Sequence, residues 1–231
     1  MIEFKKPAEV AKASGIKCLI YGQPGTGKTR MCTTTGEKTL LISAEAGLLS
    51  IMGTKADVDV VEVHTFDQLG EIYQHLQGGT DYQWVCLDSV SEIAEVTLAH
   101  EMKATKHALA AYGEMATKVI SMVRAFRDLP NLDVVFTAKQ EKTQDDNGRL
   151  LFGPSTPGAK TAAALPYYVD LVGAMILSKD NEGVVTHWLQ ARGDGRFVAK
   201  DRSGCLDNYE APDLQAIKRK ILGQTITSKA A

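Results

Sequence analysis

The segment Gly22-Gln-Pro-Gly25-Thr-Gly27-Lys28-Thr29 has the spacing G-x-x-x-x-G-K-[ST] of a phosphate-binding loop. Glycines let the backbone curl so that its N–H groups point at phosphate oxygens, the lysine reaches the β- and γ-phosphates, and the hydroxyl binds Mg²⁺. The apolar run 16–21 before the segment predicts a strand, and residues 28–35 after it predict the start of a helix, whose N-terminus favours an anion. ATP and Mg²⁺ are therefore the expected ligands.

Two carboxylates follow apolar runs at positions where a metal ion and a water molecule would need them. Asp88 closes the run Trp84-Val-Cys-Leu87 and is expected to hold Mg²⁺ together with Thr29. Glu45 follows a second apolar run, and the carboxyl ends of parallel strands line the ligand crevice, so Glu45 is favoured as the residue that orients the attacking water. Glu92 is the competing candidate, although an acid in the first turn of a helix also complements the helix dipole. The residues expected to contact the nucleotide are Gly22, Gln23, Pro24, Gly25, Thr26, Gly27, Lys28, Thr29, Arg30 and Asp88.

The elements that would position these residues alternate between strands and helices, which predicts an α/β fold with a mostly parallel sheet and helices on both faces. The turn signal Asp146-Asn147-Gly148 and the segment Asn181-Glu-Gly183 predict two C-terminal β-hairpins. The predicted organisation is an N-terminal arm (1–14), a single core (15–223) and a tail (224–231). Predicted strands are 38–43, 57–63, 82–87, 132–138, 169–177 and 184–190, and predicted helices are 66–77, 89–107, 114–129 and 212–221, with a break near 108–113 between the second and third helices.

The composition of the 231 residues, with 44% hydrophobic and 23% charged side chains, is ordinary for a soluble globular protein. No apolar run approaches the ~20 residues of a membrane span, and the first residues lack the apolar core of a signal peptide, so a cytoplasmic protein without a membrane partner is expected. The four cysteines are widely spaced and the five histidines lack metal-ligand spacing, which argues against a structural zinc site. A net charge of −2 means that any nucleic-acid binding must come from local basic patches.

These motifs together resemble the RecA superfamily of P-loop ATPases, and the resemblance covers about residues 16–177. It rests on the phosphate loop, on Glu45, on the segment Leu87-Asp88-Ser89-Val90, and on a later apolar strand that leads to Gln140. The chain is most similar to the core-only phage members, namely the fourth Sak group of single-strand annealing proteins and related phage nucleotide-binding proteins. Their late Lys-Asp-Arg element is present here as Lys200-Asp201-Arg202.

The resemblance implies a homo-oligomer, either a filament or a ring, that hydrolyses ATP between subunits and promotes annealing or strand exchange on single-stranded DNA in phage recombination. A single-stranded-DNA-binding protein is a further implied partner. Gln140 would sense the γ-phosphate and open a DNA-binding loop, although Lys139 stands where RecA has asparagine. Lys200 and Arg202 would act on the neighbouring subunit's nucleotide, with Arg192 and Arg196 as alternatives. The implied catalytic residues are Lys28, Glu45, Gln140, Lys200 and Arg202.

DNA contacts are expected in two loops, because basic side chains and loop N–H groups bind phosphates without reading sequence. The first loop lies near 103–113, and the second, from 140 to 165, is expected to be long and able to reorder. The residues expected to contact DNA are Lys103, Lys106, Lys142, Arg149 and Lys160.

Two other functions are compatible with a phosphate loop. One is a small-molecule kinase that uses Arg192, Arg196 and Arg202 as a lid over the nucleotide. The other is a nucleotide-gated module that loads another protein and hydrolyses slowly or not at all. ATPase assays with and without single-stranded DNA would separate the three.

Overall fold

The structure is a computed structural model that describes residues 14–45, 47–144 and 147–223, together with residues 4, 6 and 9. The predicted tail (224–231) and most of the predicted arm (1–14) lie outside the described residues. Within the described residues, ten strands form one sheet. The strands are β1 (Lys17–Gly22), β2 (Thr39–Ser43), β3 (Val58–Glu62), β4 (Trp84–Asp88), β5 (Asp133–Gln144), β6 (Leu150–Ser155), β7 (Leu171–Lys179), β8 (Val185–Gln190), β9 (Lys200–Asp201) and β10 (Tyr209–Glu210).

Helices connect most of the parallel strands and cover the sheet. The α-helices are α1 (Lys28–Met31), α2 (Phe66–Gln77), α3 (Val90–Ala104), α4 (Ala108–Arg127), α5 (Ala159–Ala164) and α6 (Leu214–Ile221), and short 3₁₀ helices span Leu48–Ile51 and Leu165–Tyr167. In the part of the chain that the structure describes, no helix is both long enough and apolar enough to cross a membrane.

The strand order is β10-β8-β7-β1-β5-β4-β2-β3, with β6 paired to β5 and β9 paired to β7. The six strands from β7 to β3 pair in parallel, whereas the hairpin partners β6, β8, β9 and β10 pair antiparallel. Parallel strands end at the same side of the sheet, here called the carboxyl edge. The loop after Gly22 and the residue Asp88 therefore meet at that edge, with β5 between their two strands. The predicted α/β fold, with a mostly parallel sheet and helices on both faces, is confirmed.

Successive side chains of the central strands point to opposite faces of the sheet, and each face has its own hydrophobic core. Leu19 and Phe136 pack on one face with Leu69 of α2 and Met115 of α4. Cys18, Ile20 and Val135 pack on the other face with Met31 of α1 and Ile217 of α6. Both faces of β1 are covered, which explains why its sequence is almost continuously apolar.

The helix after the phosphate loop is shorter than predicted. It ends at Met31, and the following residues tighten into i→i+3 turns, with the amides of Thr33 and Thr34 donating to Arg30 O and Met31 O at 3.0 Å. The hydroxyls of the same two threonines donate to the same two carbonyls, at 2.8 and 2.7 Å. Threonine side chains thus compete with the helical ladder for its acceptors, and the helix ends.

The break in the long helical region also differs from the prediction. It lies at residues 105–107 rather than near 108–113, because Thr105 is extended and α4 begins at Ala108. The first turn of α4 is Ala-Leu-Ala-Ala, a strong helix-forming sequence, and Gly113 fits within the exposed surface of the helix.

The chain beyond residue 138, where the sequence predicts the end of the strand, forms a β-hairpin and not a long loop. β5 continues to Gln144 and pairs with β6 from Lys139↔Ser155 to Gln144↔Leu150. The hairpin predicted from the Asp-Asn-Gly turn signal is confirmed, and the expectation of a reordering loop from 140 to 165 is wrong. Gln140 pairs with Pro154 inside the strand, so it does not end the strand either. The ladder satisfies the backbone groups that a loop would have left to solvent.

Candidate nucleotide site

The phosphate loop begins at Gly22, where the chain leaves β1. A Cβ at Gly22 would lie 2.7 Å from Thr26 Oγ1 and 2.9 Å from Met175 Cβ, so only glycine fits. Gly25 and Gly27 have φ angles of 77° and 93°, in the left-handed region that favours glycine. These three glycines give the loop its tight curl.

The inside of this curl carries unused donors and one lysine. None of the hydrogen bonds among the described residues uses the amide N–H of Gly25 or Gly27. Lys28 Nζ donates to the carbonyls of Gly22 at 3.0 Å and Gln23 at 3.2 Å. Burial lowers the pKa of Lys28, while the nearby charges of Glu45 and Asp88 raise it. Free amides around an ammonium group are the donor set that phosphate oxygens need.

Asp88 is held at the end of β4 by hydroxyl groups from two other elements. Thr29 Oγ1 donates to Asp88 Oδ2 at 2.6 Å, and Thr137 Oγ1 of β5 donates to Asp88 Oδ1. Asp88 is 2% exposed. A hydroxyl and a carboxylate in contact form the oxygen donor set that Mg²⁺ prefers, so Thr29 and Asp88 fit as its protein ligands. When bound there, Mg²⁺ would neutralise charge on the β- and γ-phosphate oxygens.

Glu45 stands beside this pair, two residues beyond β2. The amide of Ala44 donates to Asp88 O at 2.7 Å, which ties the end of β2 to the end of β4. Ser89 Oγ donates to Glu45 Oε1, and the peptide bond between Asp88 and Ser89 is cis. The half-buried Glu45 carboxylate therefore lies at the carboxyl edge next to Asp88, as the sequence predicts.

Glu92, the competing carboxylate, is engaged elsewhere. Its side chain pairs with Lys139 Nζ at 2.9 Å, and the same ammonium group pairs with Glu95 at 2.8 Å. Partial burial lowers the pKa of Lys139, but hydrogen bonds to Glu95 and Glu92 outweigh it and raise the pKa above its ordinary value. The Glu92 carboxylate is thus held by the ammonium group that it shares with Glu95, which makes Glu92 a weaker candidate than Glu45 for orienting water.

Two residues of the site have no clear sequence signal. Thr137 lies within an apolar strand, and only the contact of β5 with β4 brings it to Asp88. His187 comes from β8, and its Nδ1 lies 2.9 Å from Thr26 O in the phosphate loop. The signal that could have identified Thr137 is a hydroxyl inside the apolar run 133–138, whereas a single histidine in a predicted hairpin strand carries no signal of its contact.

The late basic residues lie at the other end of the sheet from the phosphate loop of their own chain. Lys200 aligns with Val172 of β7, whereas Gly22 aligns with Met175, three residues or about 10 Å further along the strand. Lys200 Nζ donates to Pro166 O, and Arg202 contacts Asp170 at 3.4 Å. The structure thus brings Glu45, Lys28, Thr29 and Asp88 together and leaves Lys200 and Arg202 apart.

The two alternative arginines also have local contacts. The Arg196 guanidinium stacks over the rings of Phe152 and Phe197, 5.1 and 5.6 Å from their centroids. Arg192 lines an open groove of about 830 Å³ along β7, β8 and β10, together with Trp188 and Tyr209.

The residues expected to contact DNA are exposed and lie on several elements. Lys103 is in the last turn of α3, Lys106 is in the connection to α4, Lys142 is in β5, and Lys160 is in α5. Arg149 directly precedes β6, at the end of the β5–β6 hairpin. The structure therefore replaces the second predicted DNA loop by a hairpin and a short helix.

A comparison with models of protein families identifies a match that covers most of the chain. The model of a family described as AAA domain matches residues 14–203, which is 190 of the 231 residues. No curated protein matches the chain. The matched range contains the phosphate loop, Glu45, Asp88, Thr137, His187 and both late basic residues.

Proposed function

The chain belongs to the AAA domain family, and from this premise we propose that it is a Mg²⁺-dependent ATPase in which Glu45 orients the attacking water. The observation that carries the proposal is the contact of Thr29 Oγ1 with Asp88 Oδ2 at 2.6 Å, with Glu45 on the next strand end. The loop amides and Lys28 would bind the β- and γ-phosphates.

The register of the sheet supports this role for Glu45. Ser43 of β2 aligns with Asp88 of β4, and the amides of Ala44 and Glu45 lie 2.7 and 3.3 Å from Asp88 O, so Glu45 lies directly beyond the strand end at the level of the Asp88 carbonyl. A γ-phosphate held by Lys28 would also lie beyond the strand ends. A carboxylate at that level can accept a hydrogen bond from a water molecule and align it for attack.

We further propose that hydrolysis is coupled to single-stranded DNA in an oligomer, as the resemblance to phage RecA-like recombination proteins implies. Support comes from β5, which carries Thr137 against Asp88 and, five residues or about 16 Å along the same strand, the exposed Lys142. DNA held on the β5–β6 hairpin would therefore act on the same strand that contacts the metal-binding carboxylate. Gln140 lies between the two on this strand and is the proposed sensor of the γ-phosphate.

Measuring ATP hydrolysis and DNA affinity with a poly-dT oligonucleotide tests this coupling. DNA should raise the ATPase rate. ATP should tighten DNA binding by the same factor by which DNA tightens ATP binding, because coupling between two binding sites is reciprocal. DNA binding should weaken steeply with salt, since phosphate contacts release counterions. The triple variant Lys142→Ala, Arg149→Ala, Lys160→Ala should lose most of the stimulation.

Lys28→Ala is the control, because its DNA affinity should not change when ATP is added and it should not hydrolyse ATP with or without DNA. If the two ligands do not affect each other from low to moderate salt, the recombination function is wrong and the ATPase assignment stands alone. Phosphate transfer to a small-molecule acceptor would then favour a kinase, and its absence a loader.

A further inference from the structure

Among the described residues, the phosphate loop has a side-chain hydrogen bond to a distant strand for which the proposed ATPase gives no reason. His187 lies on β8, two strands away from β1, yet its Nδ1 is 2.9 Å from the carbonyl oxygen of Thr26. Its ring also closes one side of Gly27, because a Cβ at Gly27 would lie 3.7 Å from His187 Nδ1 and 3.8 Å from Met175 Cε.

We infer that His187 is a positioning residue that fixes the peptide plane between Thr26 and Gly27, so that the Gly27 N–H faces the bound phosphates. The inference rests on the proposed nucleotide binding and adds to it a residue from a distant part of the chain.

The geometry of the peptide bond between Thr26 and Gly27 links the directions of its two polar groups. In a trans peptide the C=O and the N–H point in opposite directions, so a hydrogen bond that holds one direction also holds the other. The Thr26 carbonyl is directed at His187, and the Gly27 N–H is therefore directed away from it. That N–H takes part in none of the hydrogen bonds among the described residues, so it is available to a phosphate oxygen.

Glycine makes such a restraint necessary. Gly27 has a φ angle of 93° and no Cβ, so its backbone has more freedom to rotate than that of any other residue type. A rotated peptide would turn the Thr26 carbonyl, rather than the Gly27 N–H, toward the phosphates, and a carbonyl oxygen repels an anion. The hydrogen bond from His187 opposes that rotation before nucleotide arrives, and so reduces the ordering cost of binding.

The bond requires a proton on Nδ1, because a carbonyl oxygen can only accept. Both the imidazolium cation and the neutral tautomer with Nδ1–H meet this requirement. A side-chain amide can do so as well, since the Asn nitrogen is separated from Cα by the same number of bonds as His Nδ1. An asparagine at this position is therefore a conservative replacement for the contact, although it lacks the ring.

Binding of ADP, measured by calorimetry, tests the inference in four variants. His187→Ala and His187→Leu both remove the donor, and leucine keeps bulk at this exposed strand position. Each should weaken ADP binding by on the order of fivefold, the effect of one hydrogen bond. His187→Asn should bind ADP within about twofold of the wild-type protein. Thr186→Ala is the matched control, because Thr186 is exposed on the same strand and points to the opposite face.

Recovery by asparagine together with loss in both alanine and leucine variants supports the positioning role, since a purely structural role would not follow the donor. Equal ADP affinity across the series, or an asparagine variant as weak as alanine, would overturn it and leave the ATPase proposal intact. A wild-type protein that binds no ADP would overturn both.

Discussion

Ser89 lies between two carboxylates whose surroundings differ. Its hydroxyl donates to Glu45 and accepts from the amide of Glu92 at 3.2 Å, so it caps α3 and holds Glu45 at once. The Glu92 side chain faces Lys139, whereas Glu45 is tied to Asp88 by the backbone of its strand end. This difference in partners separates the two candidates for the water-orienting carboxylate.

Glu45→Gln should lower kcat by about 100-fold and leave the affinity for ATP within about twofold, because glutamine keeps the size of the side chain but cannot accept a proton from water. Steady-state kinetics and ATP binding by calorimetry measure the two effects separately. Glu92→Gln is the matched control and should keep most of the wild-type rate. The reverse result, an active Glu45→Gln protein and an inactive Glu92→Gln protein, would show that the assignment is wrong.

At the scale of elements, β1 and the C-terminal end of α4 are joined by a buried lysine. Lys17 Nζ donates to the carbonyls of Leu129 and Leu132 at 3.2 and 2.5 Å, and the residue is 2% exposed. Both carbonyls belong to the connection between α4 and β5. Burial lowers the pKa of Lys17 to about 8, although the charges of Asp133 and Asp170 oppose the shift.

The lowered pKa makes the stability contribution of Lys17 depend on pH. Between about pH 8 and the ordinary value of 10.5, the unfolded chain binds more protons at Lys17 than the folded chain, so this contribution to the free energy of unfolding rises with pH. Below pH 8 Lys17 is charged in both states, so the folded chain bears the whole cost of burying that charge. The wild-type protein should therefore gain about 2 kcal/mol relative to Lys17→Met between about pH 7.5 and 9.5.

Urea unfolding of both proteins at the two pH values gives this difference, and the subtraction removes the groups that the proteins share. Lys55→Met, at an exposed lysine, is the control and should show no comparable trend. A difference between wild type and Lys17→Met that stays constant with pH would contradict the lowered pKa.

At the scale of the whole molecule, the phosphate loop and the late basic residues lie toward opposite ends of the strands. Burial and the neighbouring charge of Arg202 lower the pKa of Lys200, while Asp170 raises it. About 10 Å of strand separates the level of Lys200 from the level of Gly22, so these side chains lie away from the phosphate loop of their own chain. Any catalytic role for Lys200 and Arg202 would therefore be exerted on a neighbouring subunit.

Mixing variants tests this role. Lys200→Ala and Arg202→Ala should each lower turnover in the assembled protein by at least about tenfold, because a charge that stabilises the transferring phosphoryl group is lost. Mixing either variant with Glu45→Gln subunits should restore part of the activity, since one interface then combines an intact Glu45 with an intact basic residue. ATPase rates across a series of mixing ratios measure the effect.

Arg192→Ala and Arg196→Ala provide the comparison, because the same mixtures should restore nothing if these arginines act locally. If ATPase activity is restored in mixtures with Arg192→Ala or Arg196→Ala but not with Lys200→Ala or Arg202→Ala, the intersubunit role belongs to Arg192 and Arg196. No restoration with any variant would contradict a site shared between subunits.

The sequence by itself determined the α/β fold class and the positions of the phosphate-loop glycines, Glu45 and Asp88 at the ends of apolar strands. Each rests on neighbouring residues, such as glycines at fixed spacing or an acid at the end of an apolar run, and local chemistry restricts the possible conformations strongly. The C-terminal hairpins belong to the same class, since a turn signal between two strand-forming segments is also local.

The tertiary structure alone decided the contacts between distant segments. Thr137 reaches Asp88 across 49 residues, and His187 reaches Thr26 across 161. Strand order and register set such pairs, and these depend on how all the strands pack together. The order of the segment after Gln140 was decided in the same way, because pairing with β6 satisfied backbone groups that the sequence alone left open to a loop.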